Sequence, residues 1–201
     1  MIGVLFATRT EADPFLEEME RLCGAPKDIG GDIRFSRAGE AVIAAVIGMG
    51  KQVARQGTEA FLTRHRPRRV INAGIAGALS DGLKLGETYV VASAVDWPTN
   101  STPTAVCDAT GFEDRETVRL VTSERPVFDN SIRNALSALG DIVDMEGAVI
   151  EAVCHGRNIP FTALKCVSDF ASEGDRARLH RNIRAASETL AGHLTRYFTR
   201  S

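Results

Sequence analysis

The fold is decided at Ile142-Val143-Asp144-Met145-Glu146-Gly147-Ala148, where an apolar strand ends and a helix begins at once. The helix is indicated by apolar residues that return at helical spacing, namely Val149, Ile150, Val153 and Cys154. Two carboxylates and a methionine therefore lie where a strand meets a helix, which is where α/β folds build ligand sites. Taken alone, the acidic residues favour a simpler explanation, because acidic groups suit the positive end of a helix dipole.

Strand and helix patterns alternate along the rest of the chain. Apolar or alternating runs predict strands over residues 2–7, 32–37, 41–47, 70–73, 87–94, 118–122 and 161–167. Helical periodicity predicts helices over residues 11–22, 51–65, 132–139 and 176–198. This alternation predicts a single domain over residues 1–201, an α/β fold built as a three-layer α/β/α sandwich around a central mixed sheet.

Two local predictions concern the first helix and one long connection. Thr10 is a candidate N-cap for the first helix, with Asp13 as its capping-box partner. Residues 96–116 are polar, contain two prolines and lack periodicity, so we expect a long loop over one edge of the sheet.

Composition excludes several classes of protein. The formal net charge of the 201-residue chain is −2, which argues against a nucleic-acid partner held through its phosphates. The sequence opens directly with a strand, without a signal peptide, and contains no segment long enough to cross a membrane. We therefore expect a cytoplasmic protein. The cysteines show no metal-ligand spacing; they are Cys23, Cys107, Cys154 and Cys166.

Four segments, in this order, resemble the purine nucleoside phosphorylase and nucleosidase superfamily. They are residues 2–11, residues 70–79, the Asp-Met-Glu-Gly-Ala stretch at 144–148 and the Lys-Cys-Val-Ser-Asp stretch at 165–169. The resemblance covers nearly the whole chain, with a shortening between about Val95 and Leu120, and is closest to the 5′-methylthioadenosine/S-adenosylhomocysteine nucleosidases. It implies hydrolysis of the N-glycosidic bond of an adenine nucleoside, as in methionine salvage, with no cofactor or metal.

The same resemblance assigns roles to the acidic residues. Glu11 matches the general base that activates water, and Glu146 matches the residue that accepts hydrogen bonds from the ribose hydroxyls. Asp169 matches the residue that faces the purine N7 and the exocyclic amine. An aspartate must be protonated at the moment it donates, so we expect the pKa of Asp169 to lie well above the usual value of about 3.9.

Further substrate contacts follow from the resemblance, each with a structural alternative. Met145 would form the floor beneath the sugar or fill a core gap, and Ser168 would orient the adjacent carboxyl group or cap the strand end. Phe128, or Val127 beside it, would lie against the purine or serve as a packing anchor. Two positions depart from the family pattern: Lys165 stands where arginine is usual and so lacks a bidentate fork, and Ile75 stands where serine is common.

Other functions stay open from the sequence alone. A phosphate-dependent phosphorylase would need cations, which Arg9 or Lys51 could supply, although Glu11 would repel phosphate. A non-catalytic nucleoside-binding protein would have no use for a water activator. Asp169, rather than asparagine, disfavours a role like that of futalosine hydrolase. The resemblance also implies a homodimer, formed through the sheet edge and the helix at residues 51–65.

Overall fold

The structure, a computed structural model, describes residues 1–37, 39–99, 104–105 and 108–199. Within these ranges the elements are, in order, β1 (Ile2–Phe6), α1 (Arg9–Cys23), β2 (Lys27–Ile29), β3 (Asp32–Arg37), β4 (Glu40–Val46), α2 (Lys51–His65), β5 (Arg69–Ala78), β6 (Thr88–Asp96), β7 (Thr104–Ala105), β8 (Thr117–Thr122), α3 (Asn130–Ser137), β9 (Ile142–Asp144), α4 (Gly147–His155), β10 (Phe161–Asp169) and α5 (Asp175–Thr199). The strands form one mixed sheet, which confirms the predicted fold class.

The sheet is organised around β5. Its first half lies between β1 and β10, both parallel to it, and its end pairs with β9 in antiparallel fashion. The strand order is β10-β6-β8-β9-β5-β1-β4-β3-β2, with β7 beside β6 and an additional pairing of β10 with β5. Five strands of the described chain, β5, β9, β8, β6 and β10, therefore close into a ring.

Helices cover both faces of the sheet. One hydrophobic cluster lies beneath α2 and α4, and the second lies beneath α1 and α5. The central strand β1 contributes to both, since Leu5 belongs to the first cluster whereas Val4 and Phe6 belong to the second. This explains the continuous apolar run at the start of the sequence, because a strand covered on both faces has no solvent-facing side.

The first helix begins earlier than predicted. Its N-cap is Thr8 rather than Thr10, and Thr8 forms a complete capping box with Glu11 at the third helical position. Asp13 does not take part in the cap; its carboxylate instead pairs with Nε of Arg9 at 2.7 Å. The helix start therefore brings the carboxyl group of Glu11 back onto the end of β1.

Three other regions bear on the sequence predictions. β5 continues through residues 74–78, beyond the predicted end at residue 73, and the short strand β2 was not predicted. Of the predicted loop at 96–116, residues 100–103 and 106–107, including Cys107, lie outside the described residues, as does Ala38 between the predicted strands at 32–37 and 41–47. No helix in the described ranges has the length and apolar character that a membrane crossing requires.

Candidate active site

A cavity of about 240 Å³ lies where the ends of β1, β5, β9 and β10 meet the starts of α1 and α4 and one face of α5. All of the predicted site residues except Lys165 line it. Its walls are formed by Ala7, Thr8, Thr10, Glu11, Met49, Ile75, Ala76, Gly77, Ser123, Pro126, Val127, Phe128, Val143, Asp144, Met145, Glu146, Ser168, Asp169, Ala171, Leu179 and Ile183.

Glu11 is buried and held from two sides. Its Oε2 accepts hydrogen bonds from the backbone N–H of Thr8 at 2.9 Å and from the Thr8 hydroxyl at 2.8 Å. Its Oε1 accepts one from the backbone N–H of Ile75 at 3.1 Å. A side chain at Gly74 would place its Cβ 2.9 Å from Oε1 of Glu11. The glycine therefore leaves the space that this carboxyl group occupies.

Asp144 is the centre of a buried hydrogen-bond network at the start of α4. Its Oδ1 accepts from the Thr122 hydroxyl at 2.6 Å and from the N–H of Glu146 at 3.3 Å. Its Oδ2 accepts from the N–H of Gly147 at 2.9 Å and lies 2.8 Å from Nζ of Lys165. Asp144 therefore fixes the strand-to-helix turn that presents Glu146 to the cavity.

Lys165 does not line the cavity, and its side chain is only 3% exposed behind the wall. Burial lowers the pKa of this ammonium group, but the carboxylates of Asp144, Glu146 and Glu11 outweigh burial and raise it above the usual value. Lys165 is thus a buried cation that offsets the surrounding negative charge.

Glu146 is buried and accepts a hydrogen bond from the N–H of Gly50 at 2.6 Å. Burial, followed by repulsion from Asp144, raises the pKa of Glu146 to about 7. The hydrogen bond from Gly50 and the charge of Lys165 lower it by less. At neutral pH this carboxyl group therefore lies close to its titration midpoint.

Asp169 ends β10 and is also buried. Its Oδ2 accepts from the Ser168 hydroxyl at 2.8 Å, and its Oδ1 accepts from the N–H of Ala171 at 2.8 Å. Burial raises the pKa of Asp169 above its usual value, and these two hydrogen bonds oppose the rise without cancelling it. The side chain is therefore biased toward the protonated form that a proton donor needs.

The rest of the cavity wall is mostly apolar. Phe128 and Val127 both line it, and the guanidinium carbon of Arg176 lies 5.6 Å from the centre of the Phe128 ring.

Several wall residues were not predicted from the sequence. Leu179 and Ile183, four positions apart on α5, were marked only by helical spacing. The exposed Met49 gave no periodic signal. These unassigned wall residues also include Thr8, Thr10 and Ser123.

The charged side chains described in the cavity wall are all acidic. Within the part of the chain that the structure describes, the wall contains four carboxyl groups and no lysine, arginine or histidine. Arg9 is directed to Asp13 instead. Nζ of Lys51 is bound to the carbonyl oxygen of Trp97 at 2.5 Å and forms an ion pair with Asp96. In the described ranges, no cluster of three or more metal-ligating side chains is placed to hold a metal ion.

Paired carboxyl groups in an otherwise apolar cavity suit glycosidic bond cleavage, in which one group activates the nucleophile and another protonates the leaving group. A family model described as the phosphorylase superfamily matches residues 1–139 and 105–199, so the chain belongs to this superfamily. The resemblance found in the sequence is thereby confirmed.

More specific relatives are nucleosidases. The 5′-methylthioadenosine/S-adenosylhomocysteine nucleosidase of Actinobacillus succinogenes is 27% identical over 195 residues, which cover 79% of this chain and 84% of the relative. The futalosine hydrolase of Helicobacter pylori has a similar fold, with a TM-score of 0.87 at 20% identity over 100% of this chain and 97% of the other. The 5′-methylthioadenosine/S-adenosylhomocysteine nucleosidase of Helicobacter pylori gives a TM-score of 0.87 at 21% identity, over 100% and 98%.

Proposed function

We propose that the protein hydrolyses the N-glycosidic bond of an adenine nucleoside of the 5′-methylthioadenosine or S-adenosylhomocysteine type, releasing adenine. The observation that carries this proposal is the charge of the cavity wall. Four carboxyl groups, with no cationic side chain among the described wall residues, disfavour binding of a phosphate dianion. Water is neutral and needs only a base. Hydrolysis therefore fits the cavity better than phosphorolysis.

The proposed chemistry divides the work among three carboxyl groups. Glu11 takes a proton from water as the oxygen of that water bonds to the anomeric carbon. The carbon–nitrogen bond breaks with its electron pair going to the purine, and Asp169 delivers its proton to the purine N7. Glu146 accepts hydrogen bonds from the ribose hydroxyls, with Met145 beneath the sugar. The products are adenine and a free sugar, so no cofactor is needed.

The surroundings of each side chain support these roles. Asp169 is buried, its pKa is raised, and Ser168 fixes one of its oxygens, all of which suit a proton donor. Phe128 and Val127 line the same cavity and provide an apolar face for a purine. Ile75 lines the cavity and meets Glu11 through its backbone N–H, so the contact does not depend on a hydroxyl side chain at that position.

The test is to incubate the protein with adenosine, methylthioadenosine and S-adenosylhomocysteine, with and without phosphate, and to measure free adenine. We expect adenine at equal rates in both conditions. Glu11→Gln should lower kcat about 100-fold or more, because glutamine cannot accept the proton. Release of a sugar 1-phosphate that requires added phosphate would show a phosphorylase instead, and tight nucleoside binding without turnover would show a binding protein.

We further infer that the protein acts in the cytoplasm, in methionine salvage, as a homodimer of single-domain chains. On α2, Ala54, Phe61 and Leu62 are buried within the chain and so cannot form a contact with a partner. Met49, which precedes α2, and Val53, in its first turn, are 61% and 50% exposed and provide an apolar surface next to the cavity. Sedimentation that gave a mass near 21.7 kDa at micromolar concentration would contradict the dimer.

A further inference from the structure

The hydrogen bonds around Glu11 are unequally divided between its two oxygens. The structure gives Oε2 two donors, the N–H and the hydroxyl of Thr8, and gives Oε1 one donor, the N–H of Ile75. An ionised carboxylate offers about four acceptor positions, two on each oxygen. Oε2 is therefore saturated, and the open position belongs to Oε1.

The geometry around Thr8 makes this arrangement directional. The Thr8 hydroxyl oxygen accepts the N–H of Glu11 at 3.3 Å, and its single hydrogen is donated to Oε2 at 2.8 Å. The same hydroxyl thus caps α1 and locks the rotation of the carboxyl group that α1 carries. Thr8 also lines the cavity, so the lock lies at the wall rather than in the core.

The opposite oxygen is confined by the backbone of β5. Oε1 lies where a Cβ on Gly74 would be 2.9 Å away, and Nζ of Lys165 would be 3.4 Å from that same Cβ. The absence of a side chain at Gly74 therefore leaves Oε1 room to accept the N–H of Ile75 from this strand. Among the hydrogen bonds of the described residues, the acceptor position left unoccupied on Glu11, a residue that lines the cavity, is the second one on Oε1.

We infer that Thr8 is a positioning residue that occupies Oε2 of Glu11, so that Oε1 is the atom that accepts the proton of the attacking water. The inference rests on the proposed role of Glu11 as the base. Thr8 touches neither the water nor the substrate in this role; it acts through Glu11. Loss of its hydroxyl frees an acceptor position on Oε2 and allows the carboxyl group of Glu11 to rotate. Oε1 and Oε2 then compete for the water.

Three substitutions separate positioning from helix capping. Thr8→Val removes the hydroxyl at nearly constant volume and should lower kcat about tenfold or more, the scale of a lost hydrogen bond to a charged group, with KM within about threefold. Thr8→Ser restores the hydroxyl and should return kcat to within about threefold of the wild type. Thr8→Gly is nearly as good an N-cap but has no hydroxyl to donate to Oε2, so it should nearly retain the melting temperature and still lose kcat.

The outcomes are distinct. A Thr8→Val variant with kcat within about twofold of the wild type would overturn the inference, and so would Thr8→Gly with wild-type kcat, since an N-cap without a hydroxyl would then suffice. If the wild type itself releases adenine from no nucleoside, the proposed function fails. Crystal structures of the wild type and of Thr8→Val then decide the inference without an activity assay. We expect the Glu11 carboxyl group of the variant to have left the N–H of Ile75. A carboxyl group in the same position in both structures would refute positioning by Thr8.

Discussion

Replacement of Glu146 by glutamine should make the stability of the protein less dependent on pH. The pKa of Glu146 is raised from 4.5 to about 7 by burial and by Asp144. Because this pKa is higher in the folded state than in the unfolded state, the folded protein binds more protons between these two values. The stabilisation that the protonated group contributes is complete below about pH 4.5 and is lost as the pH rises through about 7. At 1.4 kcal/mol per pH unit, the loss amounts to about 3 kcal/mol.

Glutamine has no such titration, and its amide oxygen can still accept the hydrogen bond from the N–H of Gly50 that Glu146 accepts at 2.6 Å. Urea unfolding of both proteins from pH 5 to 8 measures the difference in free energy of unfolding. We expect the variant to gain on the wild type by about 1.4 kcal/mol per pH unit up to pH 7, and the gain to level off by pH 8. The exposed Glu20 provides the matched control, Glu20→Gln. A difference that stays constant from pH 5 to 8 would refute a raised pKa of Glu146.

Two further changes test the charges and the space around the base. Lys165→Met removes the buried partner of Asp144 and should lower the free energy of unfolding by about 3–5 kcal/mol in urea titrations, because a buried carboxylate loses its cation; a loss below about 1 kcal/mol would contradict this. Gly74→Ala places a Cβ 2.9 Å from Oε1 of Glu11 and should lower kcat about tenfold or more in steady-state assays, whereas Gly82→Ala, where a Cβ meets nothing within 4 Å, should leave kcat unchanged. Equal kcat in both glycine variants would exclude a close fit around Glu11.

The sequence predicted the parts of the fold that depend on local patterns. The closing helix was expected over residues 176–198 and runs from Asp175 to Thr199, because its apolar spacing is regular over many turns. The strand β5 was expected to end at residue 73, yet it continues to Ala78. Its second half consists mainly of glycine and alanine, which are poor strand formers. Pairing with β10 and β9, which no local pattern reveals, holds this half in the sheet.

In the candidate site, too, local patterns reveal some features and contacts between separate elements decide others. Thr8 and Glu11 stand three positions apart, as the capping-box pattern requires, so the true cap was readable from the sequence although Thr10 was preferred. The ion pair between Asp144 and Lys165 was not readable, because it joins the end of β9 to the middle of β10, and no local pattern shows that these two side chains meet. A lysine that the family pattern suggests as a substrate contact thereby becomes a support for the strand-to-helix turn.

The closed ring formed by β5, β9, β8, β6 and β10 has a mechanical consequence for substrate entry. A strand within a closed ring has hydrogen-bonded neighbours on both sides, so it cannot slide or peel away without breaking a ladder. The ends of β9 and β10, which lead to Glu146 and Asp169, are therefore fixed relative to each other. Opening of the cavity must come from elements outside the ring, such as the start of α5. Amide hydrogen exchange should consequently be slow along the ring strands and faster in the first turns of α5.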